Sequence, residues 1–278
     1  MTKGAGRSNL QQRVLSAIVL VAVVLVLTWA GGFWYRILCA GIAGAVLYEW
    51  TAMASPRDAT AHRIVLWGLL AVVLAMLLAG VSAATLLIAL VVAVIVGAAH
   101  AAYDQRGFWP VAGVAYAGLS AISLAALRSD DAAGLAATLF LFAIVWATDI
   151  LAYFVGRAIG GPKLAPSISP GKTWSGAIGG TIAGIVAGGA IALYAGIVWG
   201  ALATASLALI LSIVSQIGDL FESSLKRRFG TKDSSGLIPG HGGVMDRVDG
   251  LVAAAFMLFI IGAAASGLDA PANALFGR

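Results

Sequence analysis

The sequence predicts an all-α, polytopic membrane protein with about nine transmembrane helices, and two observations support this prediction. Apolar residues make up 61% of the 278 positions and charged residues only 10%, against roughly 25% charged residues in a soluble globular domain. The apolar residues also occur in long runs separated by short polar stretches. A run of about 20 such residues is the length that an α-helix needs to cross a bilayer.

Dividing the chain at its polar breaks predicts nine spans. In chain order they cover residues 14–30, 37–54, 64–80, 82–99, 109–127, 134–156, 174–195, 201–222 and 250–267. Basic residues precede the first span, as in a secretory signal, but no small-x-small cleavage site closes it. Trp34 and Tyr35 follow that span and are typical of an interfacial aromatic belt, so we expect a retained helix.

The placement of basic residues predicts a cytoplasmic N-terminus. With nine spans, this orientation puts fourteen of the 17 lysines and arginines on the cytoplasmic side, leaving only Arg36, Arg128 and Arg278 opposite. The two most polar connections, 156–176 and 223–250, then face the cytoplasm. A net charge of +5 is consistent with attraction to anionic lipid headgroups. We expect no nucleic-acid partner, because the chain has no soluble basic domain of appreciable size.

We divide the chain into two transmembrane regions. Residues 1–130 contain about five helices and few polar motifs, so we expect them to form a scaffold. Residues 131–278 contain about four helices and both basic connections. The second region is therefore where we expect the chemistry.

Acidic residues within predicted spans are the first candidates for that chemistry. Asp149 lies in "VWATDILAY" and Asp219 in "SQIGDLFES". An ionisable side chain inside a bilayer costs about 2.5–3.5 kcal/mol, so its presence favours a functional role. Bonding to a neighbouring helix or reaching the interface is the alternative for each. Glu49 is closer to its helix end, and there the two interpretations stand equal.

Carboxylates at two successive helix ends predict a metal site. Asp219, Glu222 and Ser223 share one helix face with Lys226 because they are three or four residues apart. Asp246 and Asp249 have the same spacing at the start of the next span. Hard oxygen ligands suit Mg²⁺, which takes one or two carboxylates together with substrate phosphates and waters.

The connection between those helix ends is basic and rich in glycine. Glycine permits a close backbone approach to a ligand, and the free amides of the following helix favour an anion. Basic side chains, open backbone and carboxylates together indicate a metal-phosphate site, although such loops also occur as ordinary cytoplasmic connections. The residues concerned are Lys226, Arg227, Arg228, Lys232, Gly240, His241, Gly242 and Gly243.

The earlier connection, "GRAIGGPKLAPSISPGKTWSG", repeats the basic character. Its "GKT" is not a P-loop, because Pro166 occupies the place of the first glycine and a membrane helix replaces the preceding strand. Lys163 and Lys172 remain, on a loop stiffened by three prolines, which lowers the cost of holding charges against a polyphosphate. Glycines then recur every four residues, at 176, 180, 184 and 188. This stripe predicts close helix packing, inside the bundle or between subunits.

The segment "SLKRRFGTKDSSGLIPGHGGVMDRVD", Ser224 to Asp249, resembles the signature of the bacterial phosphatidate cytidylyltransferases, or CDP-diacylglycerol synthases. The block "KLAPSISPGKTWSG", Asp149, Tyr153 and the "YEW" element also resemble that family. Ser175 departs from it, since relatives often have an acidic residue there. The resemblance implies condensation of CTP with phosphatidic acid to CDP-diacylglycerol and pyrophosphate, with Mg²⁺ required and a monovalent ion such as K⁺ as a second ion.

The resemblance also implies a homodimer in the bacterial inner membrane, with dimer contacts in residues 1–130. It places the metal on Asp219 and Asp246. For catalysis we expect Asp219, Lys226, Asp246, Arg247 and Asp249; for substrate binding, Lys163, Lys172, Ser223, Arg227, Lys232, His241, Gly242 and Gly243. Because CTP is cytoplasmic and phosphatidic acid is held in the bilayer, the active site is expected at the cytoplasmic face of the membrane.

Two alternatives remain beside this interpretation, and a third, a CDP-alcohol phosphatidyltransferase, is set aside. An ion-coupled membrane carrier would use Asp149 and Asp219 as intramembrane binding sites. A CDP-alcohol phosphatidyltransferase would need an arginine shortly after Asp249-Gly250, where the chain has Leu-Val-Ala-Ala. A non-catalytic lipid-binding protein would not need the carboxylate pair together with two basic loops.

Overall fold

A computed structural model describes residues 4–55, 59–197, 200–238 and 242–277 of the chain. In this part there are nine long helices and one short helix, joined in one place by a two-stranded hairpin. They are α1 (Gly4–Ala30), α2 (Gly32–Ala54), α3 (Thr60–Leu78), α4 (Ala83–Tyr103), α5 (Trp109–Arg128), α6 (Ala132–Ile159), β1 (Lys163–Ala165), β2 (Ser169–Thr173), α7 (Trp174–Tyr194), α8 (Ala201–Arg228), α9 (Met245–Ser266) and α10 (Asn273–Phe276). The predicted all-α class is confirmed.

The helices from α2 to α9 are eight candidate membrane spans by length and apolar composition, and α1 adds a shorter apolar stretch, Val14–Ala30. Each of the nine predicted spans therefore coincides with a long helix. Most of the long helices extend beyond their predicted limits, among them three that carry candidate site residues, because residues past the apolar core still form helical hydrogen bonds. α6 continues to Ile159, α8 continues to Arg228, and α9 begins at Met245. Asp246 and Asp249 are consequently in the first two turns of α9.

Helix α5 forms the centre of the bundle. It packs against α2, α3, α4 and α9, and among the candidate spans it has the largest buried share. Glycine makes this close packing possible, since a Cβ on Gly113 would lie 2.6 Å from the indole ring of Trp50. The contact of α5 with α9 joins the two regions into which the sequence was divided.

Helix α7 packs along α6 through its glycine stripe. Gly176, Gly180, Gly184 and Gly188 are all buried. A Cβ on Gly180 would lie 2.5 Å from the carbonyl oxygen of Thr148. Of the two alternatives left open by the sequence, the stripe serves packing inside the bundle.

The segment between α6 and α7 is a β-hairpin, where the sequence predicted only a proline-stiffened loop. β1 and β2 pair antiparallel, with Lys163 opposite Thr173. The Thr173 hydroxyl then caps α7 by accepting a hydrogen bond from Gly176 N at 3.2 Å. Lys163 and Lys172 are therefore held on a paired scaffold directly before a helix N-terminus.

Candidate active site

One cavity of about 800 Å³ collects most of the residues that the sequence singled out. It lies between the C-terminal end of α6, the hairpin, the start of α7, the C-terminal end of α8 and the start of α9. The predicted residues on its lining are Lys163, Lys172, Asp219, Lys226, Asp246, Arg247 and Asp249, and Asp149 joins them. The two basic connections, distant in sequence, thus face one space.

The N-terminus of α9 is held by a carboxylate from α2. Glu49 is fully buried; its Oε1 accepts a hydrogen bond from Val244 N at 2.8 Å and its Oε2 accepts one from Met245 N at 2.7 Å. Ser235 donates its hydroxyl to the same carboxylate at 2.6 Å, and the Ser234 hydroxyl, 3.0 Å from Oε2, shares its single proton between Glu49 and Asp246. A negative group is stabilised there because the first amides of a helix lack internal acceptors.

Asp246 ties the preceding loop to the first turn of α9. Its Oδ2 accepts hydrogen bonds from Ser234 N, Ser234 Oγ and Gly243 N at 3.0, 2.8 and 2.8 Å. Its Oδ1 accepts one from Lys226 Nζ at 2.5 Å. Oδ2 is therefore occupied by the protein itself, and Oδ1 is the oxygen that remains for a ligand in the cavity.

Two glycines allow the loop to make this turn. Gly242 has φ +82°, a conformation that L side chains rarely adopt. A Cβ on Gly243 would overlap Ser234 Oγ and would lie 2.6 Å from Glu49 Oε1. The structure thus gives a packing reason for glycine here, the close approach of the loop to Glu49 and Ser234, and the predicted substrate contacts of Gly242 and Gly243 stay predictions.

Lys226 is placed between two carboxylates. Its Nζ lies 2.8 Å from Glu222 Oε2 and 2.5 Å from Asp246 Oδ1. Glu222 is only 1% exposed, so the ammonium group balances a buried charge as well as orienting Asp246. Of the three N–H donors of the ammonium group, one is directed to Asp246 Oδ1, and the contact with Glu222 is an ion pair.

The hairpin contacts α8 through ionic and polar contacts. Lys172 Nζ forms an ion pair with Asp219 Oδ2. Ser223 donates to Asp219 Oδ1 at 3.4 Å, and Arg227 Nε donates to the Ile168 carbonyl oxygen at 3.4 Å. The spacing that put Asp219 and Ser223 on one helix face is confirmed by this contact.

Charges of both signs are balanced around the cavity. Asp249 is close enough to Asp219 and Asp149 to interact electrostatically with both, and Asp149 interacts likewise with Lys172 and Arg247. The lining described contains five basic side chains, Arg157, Lys163, Lys172, Lys226 and Arg247, and five acidic ones, Asp149, Asp219, Asp233, Asp246 and Asp249. By formal charge these ten lining side chains sum to zero.

The acidic groups fit a cation that shares its ligands with a substrate. Within the described ranges no group of three or more His, Cys, Asp or Glu side chains could hold a metal by itself. Mg²⁺ needs only one or two carboxylates when phosphates and waters complete its octahedron. Oδ1 of Asp246 and Oδ1 of Asp219 are the oxygens with capacity left for such a role.

Other predicted substrate-binding residues are outside the cavity lining. Ser223 and Gly243 support lining residues, as described above, and Lys232 and Arg227 are exposed to solvent. Gly242 shapes the loop. His241 lies outside the described residues, so its predicted role stays a prediction.

Arg157 is a cavity residue that was not among the residues predicted for the site. Arg157 Nη1 donates to the Tyr153 hydroxyl at 2.9 Å, and both line the cavity. Asp149, Tyr153 and Arg157 are spaced by four residues, so helical periodicity was the signal that could have identified this face. Glu49 and Ser234 gave no such local signal, because their partners are far away in the chain.

A chain of polar side chains lies next to the carboxylates and joins three helices. Gln216 Nε2 donates to Thr181 Oγ1 at 2.9 Å, Ser212 donates to the same hydroxyl at 3.2 Å, and the hydroxyls of Thr148 and Ser212 are 2.9 Å apart. These bonds link α6, α7 and α8. They hold the helices that present Asp149 and Asp219 in a fixed relation.

The chain is similar to known proteins over most of its length. A profile described as "Cytidylyltransferase family" matches residues 11–264. A protein of Brucella suis named phosphatidate cytidylyltransferase is 49% identical over 273 residues, covering 97% of this chain and 99% of the relative. Proteins with the same name from Brucella melitensis and Brucella abortus are 48% identical (97% and 99% covered) and 50% identical (92% and 94% covered).

Proposed function

The chain belongs to the cytidylyltransferase family and is a nucleotidyltransferase built as an integral membrane protein, and we propose that it joins CTP to phosphatidic acid. The products would be CDP-diacylglycerol and pyrophosphate. The observation that carries the proposal is the convergence of the hairpin lysines and the α8 and α9 carboxylates on one cavity. Its volume of about 800 Å³ is within the range of roughly 300–1,000 Å³ for small-molecule sites.

Both substrates are anions, so bringing them together is the main task of the protein. The lipid phosphate is already ionised near neutral pH and needs no strong base to attack the α-phosphorus of CTP. The side chains must hold the attacking oxygen and the departing pyrophosphate in line. Lys163 and Lys172 from the hairpin would bind phosphates from one side, and Lys226 and Arg247 would bind them from the other.

We propose Mg²⁺ as the cofactor, held by Asp219 and Asp246. When bound, it would supply positive charge that stabilises the negative charge developing on the phosphate oxygens. It would also give the balanced cavity the positive excess that a polyphosphate requires. Asp246 is preorganised for this role, because Ser234 and Gly243 fix its second oxygen. We further propose a monovalent ion such as K⁺ as a second ion.

The proposed location is the bacterial inner membrane, with the cavity open to the cytoplasm. The positive-inside pattern supports this orientation, since the cavity ends of α6, α8 and α9, together with the hairpin and the α8–α9 connection, carry eight of the 17 lysines and arginines. CTP would then enter from the aqueous side and phosphatidic acid from the leaflet. We also propose that the protein is a homodimer.

The carrier hypothesis is not favoured. A carrier would be expected to place its ion-binding carboxylates near the middle of the bilayer. Asp149 and Asp219 instead share a cavity with five basic side chains at one end of the bundle.

Transfer of radiolabel from α-labelled CTP into chloroform-extractable lipid tests the proposal. Purified protein with phosphatidic acid and Mg²⁺ should form labelled lipid, and EDTA should abolish it. Asp246→Asn should also abolish it, whereas Asp104→Asn, which removes an exposed carboxylate outside the cavity, should not. The absence of labelled lipid with folded wild-type protein would contradict the proposed reaction.

A further inference from the structure

A second cavity, of about 460 Å³, lies at the opposite end of the bundle. Its lining comes from the start of α2, the α3–α4 turn, the end of α5 and the segment after α9. Arg36 on this cavity and Glu49 at the active-site end both belong to α2, 13 residues apart, which corresponds to about 20 Å along a helix. The second cavity is therefore distinct from the catalytic one.

The cavity is apolar at its floor and charged at its rim. Leu77, Leu86 and Ile122 on the lining are almost completely buried. Two arginines and two aspartates, Arg36, Arg128, Asp130 and Asp269, provide charges of both signs. A space with an apolar base and a charged rim matches a molecule that is itself apolar at one end and charged at the other.

The two arginines have different roles. Arg128 is buried, and its Nε and Nη2 donate to the carbonyl oxygens of Thr28 and Trp29 at 2.6 and 3.3 Å. It holds the C-terminal end of α1. Arg36 is 26% exposed, and its nearest partners are distant: Nη1 is 3.4 Å from the Leu78 carbonyl oxygen, and Nη2 is 3.9 Å from Asp130 Oδ2. Most of the five donors of a guanidinium group are thus available at Arg36.

Each aspartate uses one oxygen for a backbone amide, and the second oxygen of Asp130 faces Arg36 at 3.9 Å. Asp269 Oδ1 accepts a hydrogen bond from Ala83 N at 2.6 Å, and Asp130 Oδ1 accepts one from Gly32 N at 2.7 Å. In the part of the chain that the structure describes, Asp269 has no basic partner within ion-pair distance. The rim therefore presents a cation with unused donors beside carboxylate oxygens with unused lone pairs.

We propose that this cavity binds the headgroup of a zwitterionic aminophospholipid. The lipid phosphate would bind to Arg36, and the ammonium group would bind to Asp269 and Asp130. The first acyl carbons would cover the apolar floor. This binding site is separate from the proposed catalytic reaction and does not depend on it.

Native mass spectrometry of the full-length, detergent-purified protein tests this site, with dioleoyl-phosphatidylethanolamine and dioleoyl-phosphatidylglycerol as probes. We expect the wild type to bind one molecule of phosphatidylethanolamine. Arg36→Gln should lower the affinity for that lipid by about tenfold or more, as expected for the loss of a hydrogen bond to a charged group. Arg36→Lys, which keeps the charge, should have an intermediate effect and also serves if Arg36→Gln fails to fold. Arg63→Gln, at the other end of α3 and on neither cavity lining, should bind like the wild type.

Asp269→Asn separates the two halves of the headgroup. The asparagine keeps an oxygen for Ala83 N but removes the negative charge that would bind the lipid ammonium group. It should therefore weaken the binding of phosphatidylethanolamine and leave the binding of phosphatidylglycerol, which has no ammonium group, unchanged. Undiminished phosphatidylethanolamine binding in both Arg36 variants would overturn the site. Equal binding of the two lipids by the wild type, or no selective effect of Asp269→Asn, would overturn the zwitterionic assignment.

Discussion

Met245 N donates a 2.7 Å hydrogen bond to Glu49 Oε2 across 196 positions of the chain. The bond joins the C-terminal end of α2, which is predicted to face the cytoplasm, to the first turn of α9. Asp246 directly follows Met245 in that turn. Val244 N makes the matching bond to the other carboxylate oxygen. Glu49 therefore helps to position the residues of the candidate active-site cavity without lining it.

Glu49→Gln should lower both stability and activity. The substitution replaces one acceptor oxygen by an amide that faces donors, so buried N–H and O–H groups lose their partners. We expect the free energy of unfolding to fall by about 3 kcal/mol, which corresponds to a melting temperature roughly 5–10 °C lower. Thermal unfolding in detergent, followed by tryptophan fluorescence, measures it, and Asp104→Asn is the control for loss of one carboxylate. An unchanged melting temperature would show that the cap does not contribute.

Gly243→Ala should disrupt the loop before α9. The new methyl group would overlap Ser234 and crowd Glu49, and such overpacking costs about 1–3 kcal/mol. We expect the rate of cytidylyl transfer to fall by about tenfold or more, because the hydrogen bonds that hold Asp246 Oδ2 in place would be disturbed. Gly236→Ala in the same loop has open space around its Cβ and is the matched control. Equal activity of the two variants would contradict this explanation.

Lys226→Met should destabilise the protein strongly. It leaves the buried Glu222 carboxylate without its counter-ion, and breaking a buried pair costs about 3–5 kcal/mol. The double variant Glu222→Gln/Lys226→Met removes the uncompensated charge and should regain most of the stability. It should not regain transfer activity, because Asp246 still lacks its lysine. Thermal unfolding and the labelled-lipid assay distinguish the two effects, and a double variant as unstable as Lys226→Met would refute the pairing.

Asp219→Asn and Asp246→Asn should differ in stability although both remove a proposed metal ligand. Asp246 accepts three hydrogen bonds on Oδ2. The amide NH₂ of an asparagine there would face hydrogen-bond donors, and we expect this to lower the free energy of unfolding by about 1–3 kcal/mol. Asp219 has no backbone amide donor among the bonds described, and its variant should melt close to the wild type. In both, labelled-lipid formation at saturating Mg²⁺ should fall by about a hundredfold or more. Full activity in Asp219→Asn would remove that residue from the metal site.

Gly180→Ala should weaken the packing of α7 on α6. Its Cβ would meet the Thr148 carbonyl oxygen at 2.5 Å and Ala152 Cβ at 2.9 Å, contacts that only a helix shift can relieve. Gly189→Ala, on a face with nothing within 4 Å, should be neutral or slightly stabilising, since alanine favours a helix by up to about 1 kcal/mol over glycine. Melting temperatures in detergent compare them; similar values would argue against the stripe as a packing surface.

Local patterns in the sequence were sufficient for the helices and for the composition of the site. Hydropathy predicted all nine long helices, because each span must be apolar over its own length. Helical spacing placed Ser223 beside Asp219 and Lys226 beside Glu222, since residues four apart share a helix face. Composition likewise predicted that basic groups and carboxylates would occur together.

Tertiary structure alone decided which of these residues meet. The Lys172–Asp219 pair, the Lys226–Asp246 contact and the cap from Glu49 to α9 join residues on different elements. Lipid solvates the outer faces of all the helices alike, so hydropathy does not specify which helices face each other. The hairpin also escaped prediction, because its paired segments are only three and five residues long. The sequence thus determined the spans and their charges, and helix packing determined the cavity in which those charges converge.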